Sequence, residues 1–275
     1  MKTKVSFFNK RLRYCFYKIL SVIGVFTSII FLFVDICEKY KASIGIITLI
    51  LLVITYFGIW IYANKRQDIK LKINNSEIEV KFGDLFAETA DWKVIAFNEY
   101  FDTLVDDKII AKNTLNGIFI EKYYNGSIEE LDSIIAVDTN LFVVEMNVER
   151  STGKKKKYKL GSTCVVDEYL LTALTHFDDK NKAYLSINDY INFLLYFWTE
   201  IDRVYAGKTV ALPILGSGIT RFKGYENISD QELLELIVWT FKVSRIKFTY
   251  PSKVKIIIFV EKSDKINLIA LKDYE

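Results

Sequence analysis

The chain is poor in the residues that carry metal and hydrolytic chemistry. Among 275 residues there is one histidine, His176, and three cysteines, Cys15, Cys37 and Cys164. A single imidazole excludes a His-rich metal site and argues against a hydrolytic triad. The cysteines are far apart, odd in number and without metal-ligand spacing, which fits reduced thiols in a cytoplasm-facing domain. Proline occurs only twice and glycine 12 times. With no low-complexity stretch and no internal repeat, that scarcity excludes long disordered arms and repeat architectures. The formal charge is only +3, so no general affinity for nucleic acid follows. Aromatic residues, by contrast, make up 15% of the chain, which suits large apolar cores and membrane interfaces.

The N-terminus is basic, with Lys2, Lys4, Lys10, Arg11 and Arg13. From Tyr14 to Val34 the sequence is almost wholly apolar, with Lys18 as its one charge, close enough to the end to snorkel. A short polar turn leads to Ala42–Ala63, which has no charge. A membrane-crossing helix needs about 20 apolar residues, and both runs qualify. The expectation is a transmembrane hairpin over residues 1–68, with spans at about 14–34 and 42–63. Tyr56, Trp60 and Tyr62 are placed as an interfacial belt, and Lys65, Arg66, Lys70 and Lys72 follow. Positive charge on both outer flanks puts both termini in the cytoplasm. A cleavable signal sequence and a buried soluble helical hairpin are the alternatives. Gly24 and Ser28 form a small-xxx-small pair that would permit close helix approach.

Residues 69–275 read as one α/β domain. Ile69–Ile73 and Ile78–Lys81 alternate as strands around an Asn74-Asn75 turn. Short buried strands are expected at 93–97 and 253–260, strand pieces at 133–137, 141–148 and 156–160, and a strand and loop at 164–176. Asn113–Gly117 reads as a loop with an Asn-Gly turn, and the basic stretch Arg150–Lys157 as a solvated hairpin turn or, alternatively, a contact for anionic lipid. Helical spacing marks 187–205 and 229–245, the second opened by a Ser229–Glu232 capping box. Strands separated by helices imply a largely parallel sheet.

The stretch from Thr209 to Phe222 organises this domain. An apolar strand, Val210 to Leu215, breaks into Gly216-Ser217-Gly218, with a helix after it. Exposed amides at the end of a buried strand suit phosphate oxygens. The other reading of the glycines is a tight turn.

The order of these signals resembles a macro domain: Gly83-Asp84-Leu85 after an early strand, Asn98 ending the next, and Leu212-Pro213-Ile214-Leu215-Gly216-Ser217-Gly218 late in the chain. The resemblance implies a three-layer α/β/α fold with a mixed sheet and an ADP-ribose derivative as ligand, with no further cofactor. It implies that Asp84, beside Leu85, meets the adenine amino group and that Asn98 faces the distal ribose. Leu215, Gly216, Ser217, Gly218, Ile219 and Thr220 would wrap the diphosphate, and Phe222 would pack on adenine. The usual glycine run after the asparagine is replaced by Glu99-Tyr100-Phe101-Asp102, with Asn116-Gly117 later. That departure favours binding over hydrolysis, and it offers Asp102, Asn116 and Gly117 to a substituted distal ribose. Glu99 and Asp102 are the general-base candidates if the domain is instead a membrane-anchored ADP-ribosyl hydrolase. A passive tether for a modified protein is a further alternative.

Two apolar spans before a divergent macro domain resemble the membrane-bound effectors of type II Thoeris anti-phage defence. That resemblance implies a multi-pass inner-membrane protein. Its partners would be a histidine-linked ADP-ribose made by a TIR-domain enzyme, the lipid bilayer and further copies of itself, with no nucleic acid. The implied action is signal-driven oligomerisation and membrane disruption.

Overall fold

The computed structural model describes residues 3–147 and 149–275. Lys2 of the basic N-terminus and Val148, the last residue of the strand expected over 141–148, lie outside the described residues. The chain divides into two compact units, Met1–Gln67 with Ile266–Ala270, and Asp68–Lys265 with Leu271–Glu275.

The first unit carries α1 (Lys10–Phe31) and α2 (Glu38–Lys65). Asn9 caps α1, its side chain accepting from the Arg11 amide at 2.9 Å. The most apolar windows of the two helices have mean hydropathies of 1.8 and 2.5, and none of either window is buried. At 1.5 Å per residue they are roughly 33 and 42 Å long, enough for a hydrocarbon layer of about 30 Å. Thr27, Thr48 and Thr55 donate to the carbonyls of Ile23, Ile44 and Leu51, so these hydroxyls need no water. The segment before α1 is clipped to α2. The Val5 amide donates to Asn64 Oδ1 at 3.0 Å, Trp60 Nε1 donates to the Val5 carbonyl at 3.0 Å, and the Tyr56 hydroxyl donates to the Phe7 carbonyl at 2.5 Å. Tyr56 and Trp60, expected as an interfacial belt, therefore spend their polar tips on this segment, because a carbonyl lies within reach of each. Val5, Leu12 and Ala63 form a small core against which Ile269 packs.

The second unit is built on a mixed sheet. Its strands are β1 (Asp68–Ile73), β2 (Ser76–Phe82), β3 (Trp92–Asn98), β6 (Thr163–Val166), β7 (Tyr169–Phe177), β8 (Ala183–Ser186), β9 (Val210–Pro213), β10 (Arg221–Lys223) and β11 (Val254–Ile258). A separate ribbon pairs β4 (Val143–Met146) with β5 (Lys156–Tyr158). The order across the main sheet is β1-β2-β11-β9-β3-β7-β8-β10, with β6 also on β7. Strands β2, β11, β9, β3 and β7 run parallel; β1 is antiparallel to β2, β6 and β8 are antiparallel to β7, and β10 is parallel to β8. The β1–β2 turn is Asn74-Asn75, at φ 53° and 63°, the left-handed pair that a two-residue hairpin requires.

Period-two burial divides the sheet between two helical layers. On one face Ile95, Phe97, Leu171 and Ala173 pack with Phe119 and Ile120 of α3 (Leu115–Tyr123) and with Leu131 and Ile135 of α4 (Ile128–Val137). On the other lie α5 (Ile187–Tyr205) and α6 (Asp230–Ser244), joined by a Trp198 Nε1 donation to Thr240 and an edge contact of Trp198 with Phe241. The Ser229–Glu232 capping box starts α6 as the sequence suggests.

Two expectations give way. Residues 133–137 are not a strand but the end of α4. Ile128, Leu131 and Ile135 repeat at helical spacing, a signal lost when the last five residues are read alone. Asn116 and Gly117 do not make a loop turn either; they sit in the first turn of α3, capped by Thr114.

Candidate functional site

The five parallel strands end along one edge, and the loops that leave them enclose a cleft of about 530 Å³. This is the edge at which α/β sheets take ligands, and the volume is that of a small-molecule site. Gly83-Asp84-Leu85 arrives from β2, Asn98 from β3, Thr175 and Phe177 from β7, Pro213–Thr220 from β9, and Phe259 from β11. Among the described residues that line it, Asp84 and Lys262 alone are charged.

The glycine loop forms one wall. Gly216 has φ +84°, and a Cβ there would stand 3.2 Å from the ring of Phe222; only glycine fits both the conformation and the space. The Tyr190 hydroxyl, buried and so pushed up in pKa, remains a donor and holds the Leu215 carbonyl at 2.7 Å. Ser217 N turns back to the Ile214 carbonyl at 3.3 Å. Among the described residues, the amides of Gly218, Ile219 and Thr220 have no hydrogen-bond partner. Gly218 has open space where a side chain would be. Partnerless, exposed amides in succession make a concavity suited to an oxyanion.

Beside the loop, Lys262 donates from Nζ to the Ser217 carbonyl and, at 3.0 Å, to Asp230 Oδ1. The sequence reading missed this lysine. Its signal was a basic residue four positions past the last parallel strand, at the edge where all five strands end. Phe259 was missed for the same reason. It follows β11 directly and stays 56% exposed on the cleft. The Gly83 amide donates to the neighbouring Ile258 carbonyl at 2.9 Å, which puts Phe259 beside Asp84. Asp84 itself is exposed and commits Oδ1 to the Phe86 amide at 3.0 Å, leaving Oδ2 available.

The opposite wall is made of side chains. Asn98 Oδ1 accepts from the amides of Tyr100 and Asp102 at 2.9 and 3.3 Å, and its Nδ2 donates to Asp102 Oδ2 at 2.9 Å. One amide hydrogen of Asn98 is left for the cleft. The bend 98–102 holds Phe101 at φ +49° with its ring fully buried. A left-handed bulky residue costs about 1–2 kcal/mol. The burial of the ring and the ion pair that follows it hold the bend in place.

Asp102 departs from the expectation that it meets a ligand. It is outside the cleft lining, and its oxygens accept from Arg150 Nη1 (3.0 Å), Arg150 Nη2 (2.7 Å), Lys154 N (2.7 Å) and Asn98 Nδ2. A carboxylate has about four acceptor sites, and all are filled. Arg150 is correspondingly not part of a solvated turn; its side chain is 8% exposed and lies 4.0 Å from the Tyr100 ring centroid. Glu99 is also buried and committed, to His176 Nδ1 at 2.5 Å, to the Phe177 amide at 3.2 Å and to Lys157 at 3.4 Å. Burial alone would lower Lys157, but Glu99 and Glu145 outweigh it and hold the ammonium above its usual range.

The remaining site expectations divide. Leu85, Asn116, Leu215, Ser217, Ile219 and Thr220 line the cleft. Gly117 does not line it; its missing side chain lets α3 close on the Ala111 carbonyl, which a Cβ would approach to 2.3 Å. Phe222 does not line it either. It is 4% exposed, edge-on to Tyr190 and behind Gly216, because the chain turns into β10 and buries the ring under the loop. Cys164 is buried, which pushes its thiol up and leaves it inert.

Residues 78–259 match the family model described as Thoeris protein ThsA, Macro domain. A curated protein of Bacillus amyloliquefaciens (strain Y2), Thoeris protein ThsA, is 45% identical over 212 residues, covering 76% of this chain and 71% of that one. Among solved structures, the Oceanobacillus iheyensis macrodomain with ADP is 12% identical with a TM-score of 0.48, covering 75% of this chain and 93% of that chain. Thermosipho africanus DarTG in complex with ADP-ribose is 11% identical with a TM-score of 0.36, covering 71% and 45%. By the family match and the 45% identity, the chain belongs to the ThsA family of Thoeris proteins, and its α/β unit is that family's macro domain.

Proposed function

We propose that this protein is a membrane-bound effector of anti-phage defence whose cleft senses an ADP-ribose derivative. The observation that carries the reading is the run of partnerless amides at Gly218–Thr220, on the lining of a cleft with an exposed carboxylate at Asp84. In this reading an adenine stacks on the exposed ring of Phe259, and Asp84 Oδ2 accepts from its amino group. The diphosphate takes the free loop amides. The distal ribose reaches the remaining hydrogen of Asn98, near the neutral polar groups Asn113, Asn116 and Thr175. A substituent on that ribose meets these groups rather than Asp102.

The signal is a histidine-linked ADP-ribose supplied by a TIR-domain partner. The two apolar helices span the inner membrane with both termini in the cytoplasm, and occupancy drives assembly of several copies and disruption of the bilayer. A ligand moves such an equilibrium only by its differential affinity, and a full switch from 1:99 to 99:1 takes about 5.5 kcal/mol. The hydrolase alternative is weakened because Glu99 and Asp102 are themselves buried and both committed, to His176 and Lys157 and to Arg150 respectively. The test is dye release from liposomes carrying the full-length protein, together with particle size in detergent, with and without histidine-ADP-ribose. Ligand-dependent leakage and a larger particle support the reading. Accumulation of free ADP-ribose with neither effect would overturn it in favour of hydrolysis.

A further inference from the structure

Lys262 occupies a position that the cleft's shape alone does not explain. Its ammonium bridges the Ser217 carbonyl on the glycine loop and Asp230 at the first turn of α6. It also faces the cleft, where it is the one cation among the described lining residues. A second hollow of about 830 Å³ shares Gly216, Ser217, Gly218, Thr220 and Lys262 with the cleft, so the loop and its lysine are flanked by open space on more than one side. Lys262 sits on a 3-10 turn, Val260–Lys265. The chain passes from that turn straight into Ile266–Ala270, which belongs to the unit that holds α1 and α2. Within that unit Ile269 packs on the small core of Val5, Leu12 and Ala63.

We infer that Lys262 is a latch that exchanges Asp230 and the Ser217 carbonyl for a ligand phosphate, so that occupancy of the cleft is passed along residues 260–270 to the helical unit. The inference rests on the phosphate reading of the cleft and adds the route out of it. A dianionic diphosphate on the loop amides is a stronger partner for an ammonium than a neutral carbonyl. Moving the ammonium towards the phosphate releases α6 and pulls on the turn. Asp230 competes with ligand in the resting state, so weakening it enlarges the competent fraction and tightens apparent binding.

The experiment uses the full-length protein in detergent with ADP-ribose as the probe, by calorimetry and by hydrogen exchange of peptides spanning 260–270. In the wild type, ligand should change exchange across 260–270. Lys262→Met should weaken binding by about tenfold or more, Lys262→Arg should retain most of it, and Asp230→Asn should tighten it severalfold. Wild-type binding with unaltered exchange at 260–270 overturns the route, and Lys262→Met binding within about twofold of wild type overturns the latch. A Lys262→Arg protein that is folded and no better than Lys262→Met overturns the charge argument. Absence of any wild-type binding overturns the phosphate reading and the latch together.

Discussion

The glycine-loop wall of the cleft comes from the consecutive stretch 213–220, and its chemistry belongs to the backbone. The facing wall at Asn98 is held from behind by three separated segments, 98–102, 150–154 and 176–181, through side-chain hydrogen bonds and the Arg150–Asp102 ion pair. The first wall has open space at Gly218 and free amides. Behind the second, the Asp102 carboxylate is buried and fully hydrogen-bonded, with Arg150 held by Asp102, by the Lys154 carbonyl at 2.6 Å and by Asn181 at 2.8 Å. A wall made of backbone can lose its ligand without losing its shape. A wall made of paired buried charges loses its shape first, because an abandoned charge has no water to turn to.

The sharpest way to break this contrast is Arg150→Met. Removing one partner of a buried pair costs about 3–5 kcal/mol, so thermal unfolding of the macro unit should move sharply downward. Adding Asp102→Asn should recover part of that loss. If Arg150→Met is neutral, the second wall does not depend on its ion pair.

Gly216→Ala probes the first wall where it is tight. The left-handed conformation and the Phe222 ring 3.2 Å from the new Cβ should cost about 1–2 kcal/mol. The same measurement on Gly218→Ala, where nothing lies within 4 Å, should show little change.

Phe259→Ala separates affinity from stability. Stacking of a base on an aromatic ring is worth about 1–3 kcal/mol, so ADP-ribose affinity should fall about tenfold. Because the ring is 56% exposed, the melting temperature should barely move. An unchanged affinity would place the adenine elsewhere.

The smallest effect lies outside both walls. Burial alone would raise Glu88, but hydrogen bonds from Lys255 and Lys81 outweigh it and hold the carboxyl below its usual range. A depressed folded-state pKa gives stability that is present above the unfolded value of about 4.3 and is lost as pH falls through the folded value. Glu88→Gln should therefore reduce stability at neutral pH by about 1 kcal/mol or less, and the difference from wild type should vanish in acid. A difference that grows in acid would contradict the pairing.

What the sequence made legible follows the same divide. The strand–glycine–helix signal at 209–232 is local, so a single pass along the chain places Gly216–Thr220 at a strand end and Ser229 at a helix cap. The two long apolar helices are legible from composition alone. Asp102 looked like a ligand group because its partner Arg150 is 48 residues away, inside a lysine-rich stretch that reads as a wet turn. Phe222 looked like a stacking aromatic because it follows the loop; only the return of the chain into β10 hides it. Phe259 and Lys262 carried no motif, since their placement comes from β11 lying between β2 and β9, a fact of the sheet order and not of spacing.

The central claim is that the free amides of the glycine loop hold the diphosphate of an adenine nucleotide sugar. Titration calorimetry of the full-length protein with ADP-ribose, wild type against Gly218→Glu, tests it most directly. The open space at Gly218 lets the glutamate fold in place, with its carboxylate competing for the phosphate position. The account predicts saturable binding by the wild type and none by a Gly218→Glu protein of unchanged melting temperature. Equal binding by both would contradict it.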